Sequence, residues 1–168
     1  MDRKTESNYF PLFIDMSGRR VRMIGAGAIA LRRTKGLLDF GAIVTVTAPD
    51  IRKEFYELQE TCGSNVLILE KKAFETGSIS RGHADFVLAA TDDREVELAV
   101  YRECKEKKIP VNIASDQTLC DFQFPALIRQ DGLVIGVNSG GGDHRKVRRA
   151  SAGIREYLSS TERQTADG

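Results

Sequence analysis

Residues 21–30 of the chain, VRMIGAGAIA, decide the fold, because an apolar run passes directly into a G-x-G-x-x-A turn that opens a stretch with helical spacing. A glycine-rich turn between a strand and a helix lets backbone N–H groups approach a pyrophosphate, and the helix N-terminus adds about half a positive charge there. The turn therefore predicts a dinucleotide site with Gly25, Gly27, Ala28 and Ile29 as candidate contacts. Tight packing of a strand on a helix explains the same small residues, so the string alone leaves both interpretations open.

The residues that follow complete a βαβ unit. A second apolar run, Ile43–Ala48, comes about 20 residues after the first glycine, as such a unit requires. Apolar residues between the two runs recur at helical spacing, and Gly41 stands where a C-terminal cap is expected. The second run carries no acidic residue at its tip, but Pro49 and Asp50 follow just past it. They are predicted to border the cofactor, because Asp50 is the nearby carboxylate that can reach a ribose hydroxyl. Asp50 can also be the N-cap of a helix that begins near Ile51, and the two roles are compatible.

Composition places the chain among globular proteins. Its 168 residues are 41% hydrophobic and 29% charged, which suits one ordinary domain, with or without a small appendage, and excludes a fibrous or disordered class. The formal net charge of +1 gives no reason to expect nucleic acid as a partner. No apolar run approaches the roughly 18 residues of a membrane span, and the N-terminal residues lack the apolar core of a signal peptide, so we predict a cytoplasmic location and no membrane partner. Three widely spaced cysteines without a C-x-x-C pair argue against a disulfide framework and a metal site.

Apolar runs alternate with helical patterns as far as residue 113. Strands are predicted at Val21–Ile24, Ile43–Ala48, Val66–Leu69, Phe86–Ala90 and Ile109–Ile113. Helices connect them, the last capped by residues 91–93 (TDD), whereas residues 71–82 indicate a loop with at most one helical turn. Right-handed crossovers between these strands predict an α/β fold with a parallel Rossmann-type sheet in the order 3-2-1-4-5. Residues 1–113 are predicted to form this NAD-binding domain. Ligands of this fold bind at the carboxyl ends of the strands, which brings Thr91, Ser115 and Asp116 into the same crevice as the glycine turn.

The pattern changes after residue 113. Two apolar runs, residues 122–128 and 133–137, flank Asp131-Gly132, and an Asp-Gly pair between apolar runs predicts a β-hairpin. Antiparallel strands do not belong to the βαβ series, so residues 114–168 are predicted to form a separate hairpin module that ends in a helix. This module has little chain to cover its apolar strands, and we therefore expect them to be buried against a second copy of the protein, in a homodimer.

A glycine-rich turn and a basic helix follow the hairpin. Residues 138–142 read NSGGG, and the helix behind them is predicted to place Val147, Ala150, Ile154 and Leu158 on one face, with basic residues on the others. A helix N-terminus behind a glycine turn with this much positive charge suits a polyanionic ligand. The candidate contacts are Ser139, Gly140, Gly141, His144, Arg145, Lys146 and Arg149. A solvated helix face is the alternative explanation of the basic residues.

Eight short segments occur in an order and spacing that extend over nearly the whole chain. They are residues 9–13 (YFPLF), 25–33 (GAGAIALRR), 44–51 (VTVTAPDI), 89–93 (AATDD), 111–114 (VNIA), 119–122 (LCDF), 124–126 (FPA) and 139–141 (SGG). This set resembles the precorrin-2 dehydrogenases of sirohaem and related tetrapyrrole synthesis, which include the N-terminal module of bifunctional sirohaem synthases. The resemblance implies NAD-dependent oxidation of precorrin-2 to sirohydrochlorin, in an interlocked homodimer whose hairpin region helps to build the substrate cleft. In some members it also implies insertion of ferrous iron into sirohydrochlorin.

The catalytic candidates are Ser115 and Asp116. The family often carries an aspartate, implicated in catalysis, three residues after the asparagine of the VN pair, and here that position is Ser115 while the aspartate is Asp116. Hydride transfer depends on positioning, and a base has only to accept a proton from an already acidic position, so a loop carboxylate such as Asp116 suffices. A turn or cap role explains Asp116 equally well. Asp121 and His144 are further candidates for proton transfer, with a loop end and an exposed basic run as their ordinary explanations.

A different class of protein shares part of this pattern. Regulatory nucleotide-sensing modules attached to ion channels are also small Rossmann domains with a G-x-G-x-x-G turn and an ATDD-like fourth strand, and they bind a ligand without catalysis. Such modules usually carry an acidic residue at the tip of the second strand and lack the FPA hairpin and the SGG turn. An NAD-dependent dehydrogenase is therefore the main interpretation of the sequence, and a nucleotide sensor is the alternative.

Overall fold

The parallel sheet predicted from the alternating pattern is present in the computed structural model, which describes residues 9–140 and 143–166. Its strands are β1 (Arg20–Ile24), β2 (Ile43–Ala48), β3 (Leu67–Lys71), β4 (Phe86–Ala89) and β5 (Val111–Ile113). All neighbouring strands are parallel, and their order is β3-β2-β1-β4-β5, which confirms the predicted topology. The helices between them are α1 (Ala28–Asp39), α2 (Lys53–Cys62), α3 (Ser78–Arg81) and α4 (Arg94–Lys107).

Apolar side chains cover both faces of this sheet. Met23 lies in register with Val46 and Leu88, and each of the three is at most 1% exposed. The next residue of β1, Ile24, points to the opposite face and belongs to a buried cluster that includes Val100 of α4. Burial on both faces explains why the strands are short continuous apolar runs rather than alternating ones.

Two strands begin later than their apolar runs. β5 begins at Val111 rather than at Ile109, because Pro110 has no N–H to donate, although its carbonyl accepts from the N–H of Val87 at 3.0 Å. β3 begins at Leu67 and continues into polar residues as far as Lys71, because its backbone pairs with β2 from Val44 to Ala48. Residues 71–82 contain the short helix α3, within the single helical turn that the sequence allowed.

The sheet unit extends beyond the last strand. The chain divides into one unit of residues 13–122 and another in which residues 9–12 join residues 123–166, whereas the sequence placed the boundary after residue 113. Backbone hydrogen bonds hold the additional segment to the sheet, since Ala114 N donates to Ala89 O at 2.8 Å and Asp121 N donates to Val111 O at 2.9 Å. The Phe122 ring also makes an edge contact with the Phe86 ring, with centroids 5.7 Å apart.

The second unit contains the predicted hairpin. Strands β6 (Ala126–Gln130) and β7 (Leu133–Val137) are antiparallel, and the two residues between them, Asp131 and Gly132, have φ values of 48° and 77°. A two-residue turn with positive φ at both positions is the type I′ turn that Asp-Gly favours. β6 begins at Ala126 rather than at residue 122, because Pro125 has no N–H for a ladder.

The basic helix α5 (His144–Ala166) packs on the hairpin. Its inward positions include Val147, Ile154 and Leu158, as predicted, but Ala150 is exposed and Ser151 is buried instead. The Arg155 guanidinium donates to the Leu127 carbonyl at 3.0 Å, which ties the helix to β6. None of the helices within the described residues is long and apolar enough to cross a membrane.

Candidate functional site

The first glycine of the G-x-G-x-x-A turn has a packing role. Gly25 has a φ of +102°, and a Cβ atom there would lie 2.2 Å from the Ala90 carbonyl oxygen. Its N–H donates to the Thr47 carbonyl at 2.9 Å, so the end of β1 is held between the ends of β2 and β4. A side chain at this position would push the strands apart, because the obstructing atom is backbone.

Gly27, in contrast, faces open space. It is the N-cap residue of α1, no side chain caps the helix there, and a Cβ atom at Gly27 would meet no heavy atom within 4 Å. Ala28 and Ile29, which open the helix, are exposed, and Ile29 is 48% exposed although it is a large apolar residue. An uncapped helix N-terminus beside open space fits the pyrophosphate of a dinucleotide, and the exposed Ile29 side chain fits an apolar part of the same ligand.

The tip of β2 presents Pro49 and Asp50, both of which are exposed. The alternative role of Asp50 as a helix N-cap is wrong, because α2 begins at Lys53 and its N-cap is Arg52, with no side-chain cap. The Arg52 guanidinium instead donates to Glu54 at 2.5 Å, and this hydrogen bond lowers the pKa of Glu54 to about 2. Asp50 is thus available for a ribose hydroxyl, while the nearest arginine is already paired.

The tip of β4 is shaped by hydrogen bonds within residues 91–93. Asp93 caps α4 by accepting from the N–H groups of Glu95 at 2.9 Å and Val96 at 3.2 Å, as the sequence predicted. Thr91 Oγ accepts from the N–H of Asp93 at 3.3 Å. Thr91 is therefore held at the carboxyl edge of the sheet, next to the Ala90 carbonyl that Gly25 approaches.

Asp116, after β5, is engaged in several contacts. Its Oδ1 accepts from the N–H of Thr118 at 3.0 Å and from the Thr118 hydroxyl at 2.6 Å, so it caps the 3₁₀ turn Gln117–Leu119. Its Oδ2 accepts from the Arg94 guanidinium at 2.7 Å. The hydrogen bonds from Thr118 and Arg94 hold the pKa of Asp116 below its ordinary value, which makes this carboxylate a weak proton acceptor.

Ser115 contacts a carboxylate that the sequence analysis did not single out. The Ser115 hydroxyl donates to Oε2 of Glu97 at 2.6 Å, and Arg94 donates to the same oxygen at 3.3 Å. Glu97 is 2% exposed, whereas Ser115 is exposed. Glu97, Val100 and Cys104 have the i, i+3, i+7 spacing of a single helix face. A charged residue on a face that is otherwise apolar is the sequence signal that could have identified Glu97.

A second pair of side chains fixes the same loop. The buried Asn112 accepts from the Arg33 guanidinium of α1 at 2.7 Å and donates to the Phe122 carbonyl at 2.7 Å. Asp121 accepts from the N–H of Val111 at 3.1 Å and pairs with Lys105, which accounts for its position at the loop end. These contacts hold both ends of the loop that carries Ser115 and Asp116.

The remaining candidates lie in the second unit, around the start of α5. Ser139 Oγ accepts from the N–H of Asp143 at 3.2 Å, and Asp143 in turn caps the helix by accepting from the N–H groups of Arg145 at 2.9 Å and Lys146 at 3.0 Å. Gly140 has a φ of 64°, and its N–H donates to Asn138. His144, Arg145, Lys146 and Arg149 are exposed, and Gly141 lies outside the described residues.

Nine of the predicted site residues lie at the carboxyl edge of the parallel sheet. The described site residues of the second unit lie around the start of α5. The nine are Gly25, Gly27, Ala28, Ile29, Pro49, Asp50, Thr91, Ser115 and Asp116. Within the part of the chain that the structure describes, no three His, Cys, Asp or Glu side chains are grouped so that they could hold a metal ion. The open N-terminus of α1 makes the sheet edge suitable for a dinucleotide. The Ser115 hydroxyl and the carboxylates of Asp50 and Asp116 lie at the same edge.

The family model of the putative NAD(P)-binding proteins matches residues 12–126. The probable multifunctional siroheme biosynthesis protein HemA of Ruminiclostridium josui is 40% identical over 91% of this chain and 29% of its own length. Siroheme synthase of Pseudomonas fluorescens is 32% identical over 94% of this chain and 33% of its own length. Among solved structures, SirC, a precorrin-2 dehydrogenase, matches with a TM-score of 0.68 and 30% identity, over 91% of this chain and 71% of that one. The chain thus spans about a third of the length of these curated relatives and most of the solved one.

Proposed function

Because this chain belongs to the family of putative NAD(P)-binding proteins and is similar over most of its length to the precorrin-2 dehydrogenase SirC, we propose that it oxidises precorrin-2 to sirohydrochlorin with NAD as the hydride acceptor. The observation that carries the proposal is the open, uncapped N-terminus of α1 at Gly27, which fits a pyrophosphate. A nucleotide sensor without catalysis would share this cradle, but the relatives of this chain are biosynthetic proteins.

Different residues at the sheet edge are proposed to bind the cofactor and to take up the proton. Gly27, Ala28 and Ile29 would hold the pyrophosphate and an adjoining apolar part of the cofactor, while Asp50 would bind the ribose and Pro49 and Thr91 would border it. When bound, NAD supplies the acceptor for the hydride that the substrate loses. Ser115 and Asp116 lie on the loop after β5, and Ser115 is the group proposed to take up the accompanying proton. Asp116, whose pKa is held low by Thr118 and Arg94, is proposed to fix the loop beside the reacting atoms.

NAD is the proposed cofactor rather than NADP. A carboxylate close to the end of the second strand favours a free ribose hydroxyl and repels a 2′-phosphate, and Asp50 is exposed two residues past the end of β2. Arg52, the basic residue that could accept such a phosphate, is paired with Glu54. A comparison of kcat/KM for the two cofactors should therefore favour NAD, and a preference for NADP would contradict this assignment.

The start of α5 is the proposed binding region for the acetate and propionate groups of the substrate. Arg145, Lys146 and Arg149 are exposed cations within two helical turns, and His144 and the turn of Ser139 to Gly141 adjoin them. Asp143 already caps the helix, so the cations rather than the first helical N–H groups would supply most of the attraction.

We further propose that the protein acts as a cytoplasmic homodimer. The second unit exposes several large apolar side chains, which an interface between two copies would bury: Phe10 (84% exposed), Leu12 (72%), Leu133 (52%) and Tyr157 (69%). Insertion of ferrous iron into sirohydrochlorin stays a prediction from the family resemblance.

The deciding experiment is incubation of the purified protein with NAD and precorrin-2. Sirohydrochlorin absorption and NADH should increase together and in equal amounts. A folded protein that binds NAD but produces neither product at saturating protein concentration would refute the enzyme and favour the nucleotide sensor.

A further inference from the structure

The buried carboxylate of Glu97 has no structural partner for one of its two oxygens. Oε2 accepts from Ser115 and Arg94, but Oε1 is inaccessible and has no hydrogen-bond partner among the described residues. Burying a carboxylate is costly unless hydrogen bonds replace its hydration, and each unmet oxygen adds to that cost. A residue whose role was only to stabilise the fold would be expected to have both oxygens bonded.

Glu103, six residues further along α4, shows what such a structural carboxylate looks like. It is 6% exposed, and its Oε1 accepts from the N–H and hydroxyl of Ser80, both at 2.8 Å. Its Oε2 accepts from the N–H of Gly77 at 2.8 Å. Both oxygens of Glu103 therefore hold α3 to α4, and the contrast identifies Glu97 as the less satisfied of two buried carboxylates on one helix.

The position of Glu97 connects it with the carboxyl edge of the sheet. Its contact there is the hydroxyl of Ser115, which is exposed and follows β5. Asp116, the neighbouring carboxylate, is occupied by Thr118 and Arg94. Arg94 donates to both carboxylates, but at 2.7 Å to Asp116 and at the longer distance of 3.3 Å to Glu97. The Ser115 hydroxyl, which donates to Glu97 at 2.6 Å, is thus the exposed group at this edge that is backed by the less tightly paired carboxylate.

We propose that Ser115 and Glu97 form a proton relay for the dehydrogenation, an inference that rests on the proposed function. A C–H or N–H bond of the macrocycle breaks, its electron pair enters the new double bond, and its proton goes to Ser115 Oγ. The neighbouring carbon would lose its hydride to NAD when NAD is bound. The Ser115 hydroxyl passes its own proton to Oε2 of Glu97, so one hydride and one proton leave the substrate. Glu97 acts through Ser115 and is therefore a positioning residue and final proton acceptor, not a group that touches the substrate.

The test compares Glu97→Gln with the matched variant Glu103→Gln. Removal of a general base typically costs about 10²–10⁴-fold in rate, so Glu97→Gln should lower kcat by about 10²-fold or more with little change in KM for either ligand. Glu103→Gln removes a buried carboxylate from the same helix and should lower thermal stability while leaving kcat close to that of the unaltered protein.

A second pair of variants tests the relay without changing the buried site. Ser115→Ala, at an exposed position, should fold normally and lose kcat to a similar extent as Glu97→Gln. Ser115→Asp in the Glu97→Gln background places a carboxylate directly at the edge and should restore much of the lost kcat, a rescue that a purely structural role of Glu97 would not give.

Infrared difference spectroscopy supplies a readout separate from turnover rates. Mixing the unaltered protein with NAD and precorrin-2 should produce a transient carboxylic-acid C=O band that is absent from Glu97→Gln. Turnover by the unaltered protein together with unchanged kcat in a folded Ser115→Ala or Glu97→Gln would overturn the relay alone. Absence of turnover by the unaltered protein would overturn the proposed function and the relay with it.

Discussion

Gly25 and Gly27 stand two residues apart in one turn, yet they are glycine for different reasons. At Gly25 the obstacle to a side chain is the backbone of the protein itself, 2.2 Å from a Cβ atom, and the φ of +102° disfavours any other residue. At Gly27 the protein leaves the space open. The fold therefore requires the first glycine, whereas the second is not required by packing and is proposed to make room for the ligand.

Substitution of the two glycines should separate folding from binding. Gly27→Val should raise the Kd for NAD by about tenfold or more, because the side chain occupies the space proposed for the pyrophosphate, at a cost of roughly 1 kcal/mol in stability from a poorer N-cap. Gly25→Ala should instead lower the free energy of unfolding by about 1–3 kcal/mol, from overpacking against Ala90. Calorimetric titration and urea unfolding measure the two effects, and unchanged NAD affinity in folded Gly27→Val would mean that this glycine serves packing only.

Glu103 should make stability depend on pH. Although burial raises its pKa, hydrogen bonds from the N–H groups of Ser80 and Gly77 lower it more, so the folded value lies below the ordinary 4.5. A carboxylate with a depressed folded pKa stabilises the fold above its unfolded pKa, and that stabilisation is lost as the pH falls through the folded value.

The free energy of unfolding should therefore be lower in Glu103→Gln than in the unaltered protein by about 1.5–3 kcal/mol at neutral pH. This difference should shrink as the pH falls below 4.5. Urea titrations at several pH values measure it, with Glu60→Gln on the exposed side of α2 as the control that should show no such difference. If the difference in free energy of unfolding between the two proteins stays constant with pH, the charge of Glu103 does not contribute to stability.

At the scale of elements, α5 combines an apolar stripe on the hairpin with an exposed basic surface near its start. Its first turn is already capped by Asp143, so the charges of Arg145 and Arg149 are not needed to stabilise the helix N-terminus, where cations are unfavourable. Their placement there is explained by an anionic ligand better than by the stability of the helix.

Replacing both Arg145 and Arg149 with Gln should raise KM for precorrin-2 about tenfold while leaving NAD affinity and thermal stability unchanged. Added salt should weaken substrate binding in the unaltered protein in the same direction, because it screens the exposed charges. Steady-state kinetics at low and high ionic strength measure both effects. As a control, Gln replaces both Lys35 and Arg102, which are exposed on α1 and α4, so that the same amount of positive charge is removed. An unchanged KM in the α5 variant would leave a solvated helix face as the explanation.

At the scale of the whole molecule, the two units differ in how well they cover their apolar residues. The sheet unit buries large side chains on both faces, although it also exposes Phe13 and Ile29. In the described part of the smaller unit, Ile128 is the one buried hydrophobic residue, whereas Phe10, Leu12, Leu133 and Tyr157 are exposed. A hairpin and one helix are too little chain to enclose a core on their own, which is the physical reason to expect a second copy.

Leu133→Asp should therefore shift the protein from dimer to monomer, because a charge buried at an interface without a partner costs several kcal/mol. Sedimentation velocity at micromolar concentration measures the dimer fraction. Lys35→Asp introduces the same carboxylate on the exposed side of α1 and should leave that fraction unchanged. Unaltered protein that sediments as a monomer under these conditions would contradict the dimer.

Local chemistry made the order of elements predictable from the sequence. Buried parallel strands are continuous apolar runs, Asp93 has the side chain of an N-cap, and Asp131-Gly132 fits a turn that needs positive φ twice. These features depend on neighbours within a few residues, so they are visible in sequence order. The glycine turn was predicted for the same reason, because a strand, a tight turn and a helix must follow one another directly.

The features that the sequence left open depend on contacts between residues that are far apart in the chain. Sequence spacing could not show that Gly25 meets Ala90, that Asn112 joins Arg33 to Phe122, or that Glu97 receives the Ser115 hydroxyl. Each contact joins elements that become neighbours only when the strands take their order in the sheet. Sequence patterns were thus sufficient to predict the order of the strands and the position of the glycine turn, whereas packing of α4 against the loop after β5 determines that Glu97 is the carboxylate bonded to Ser115.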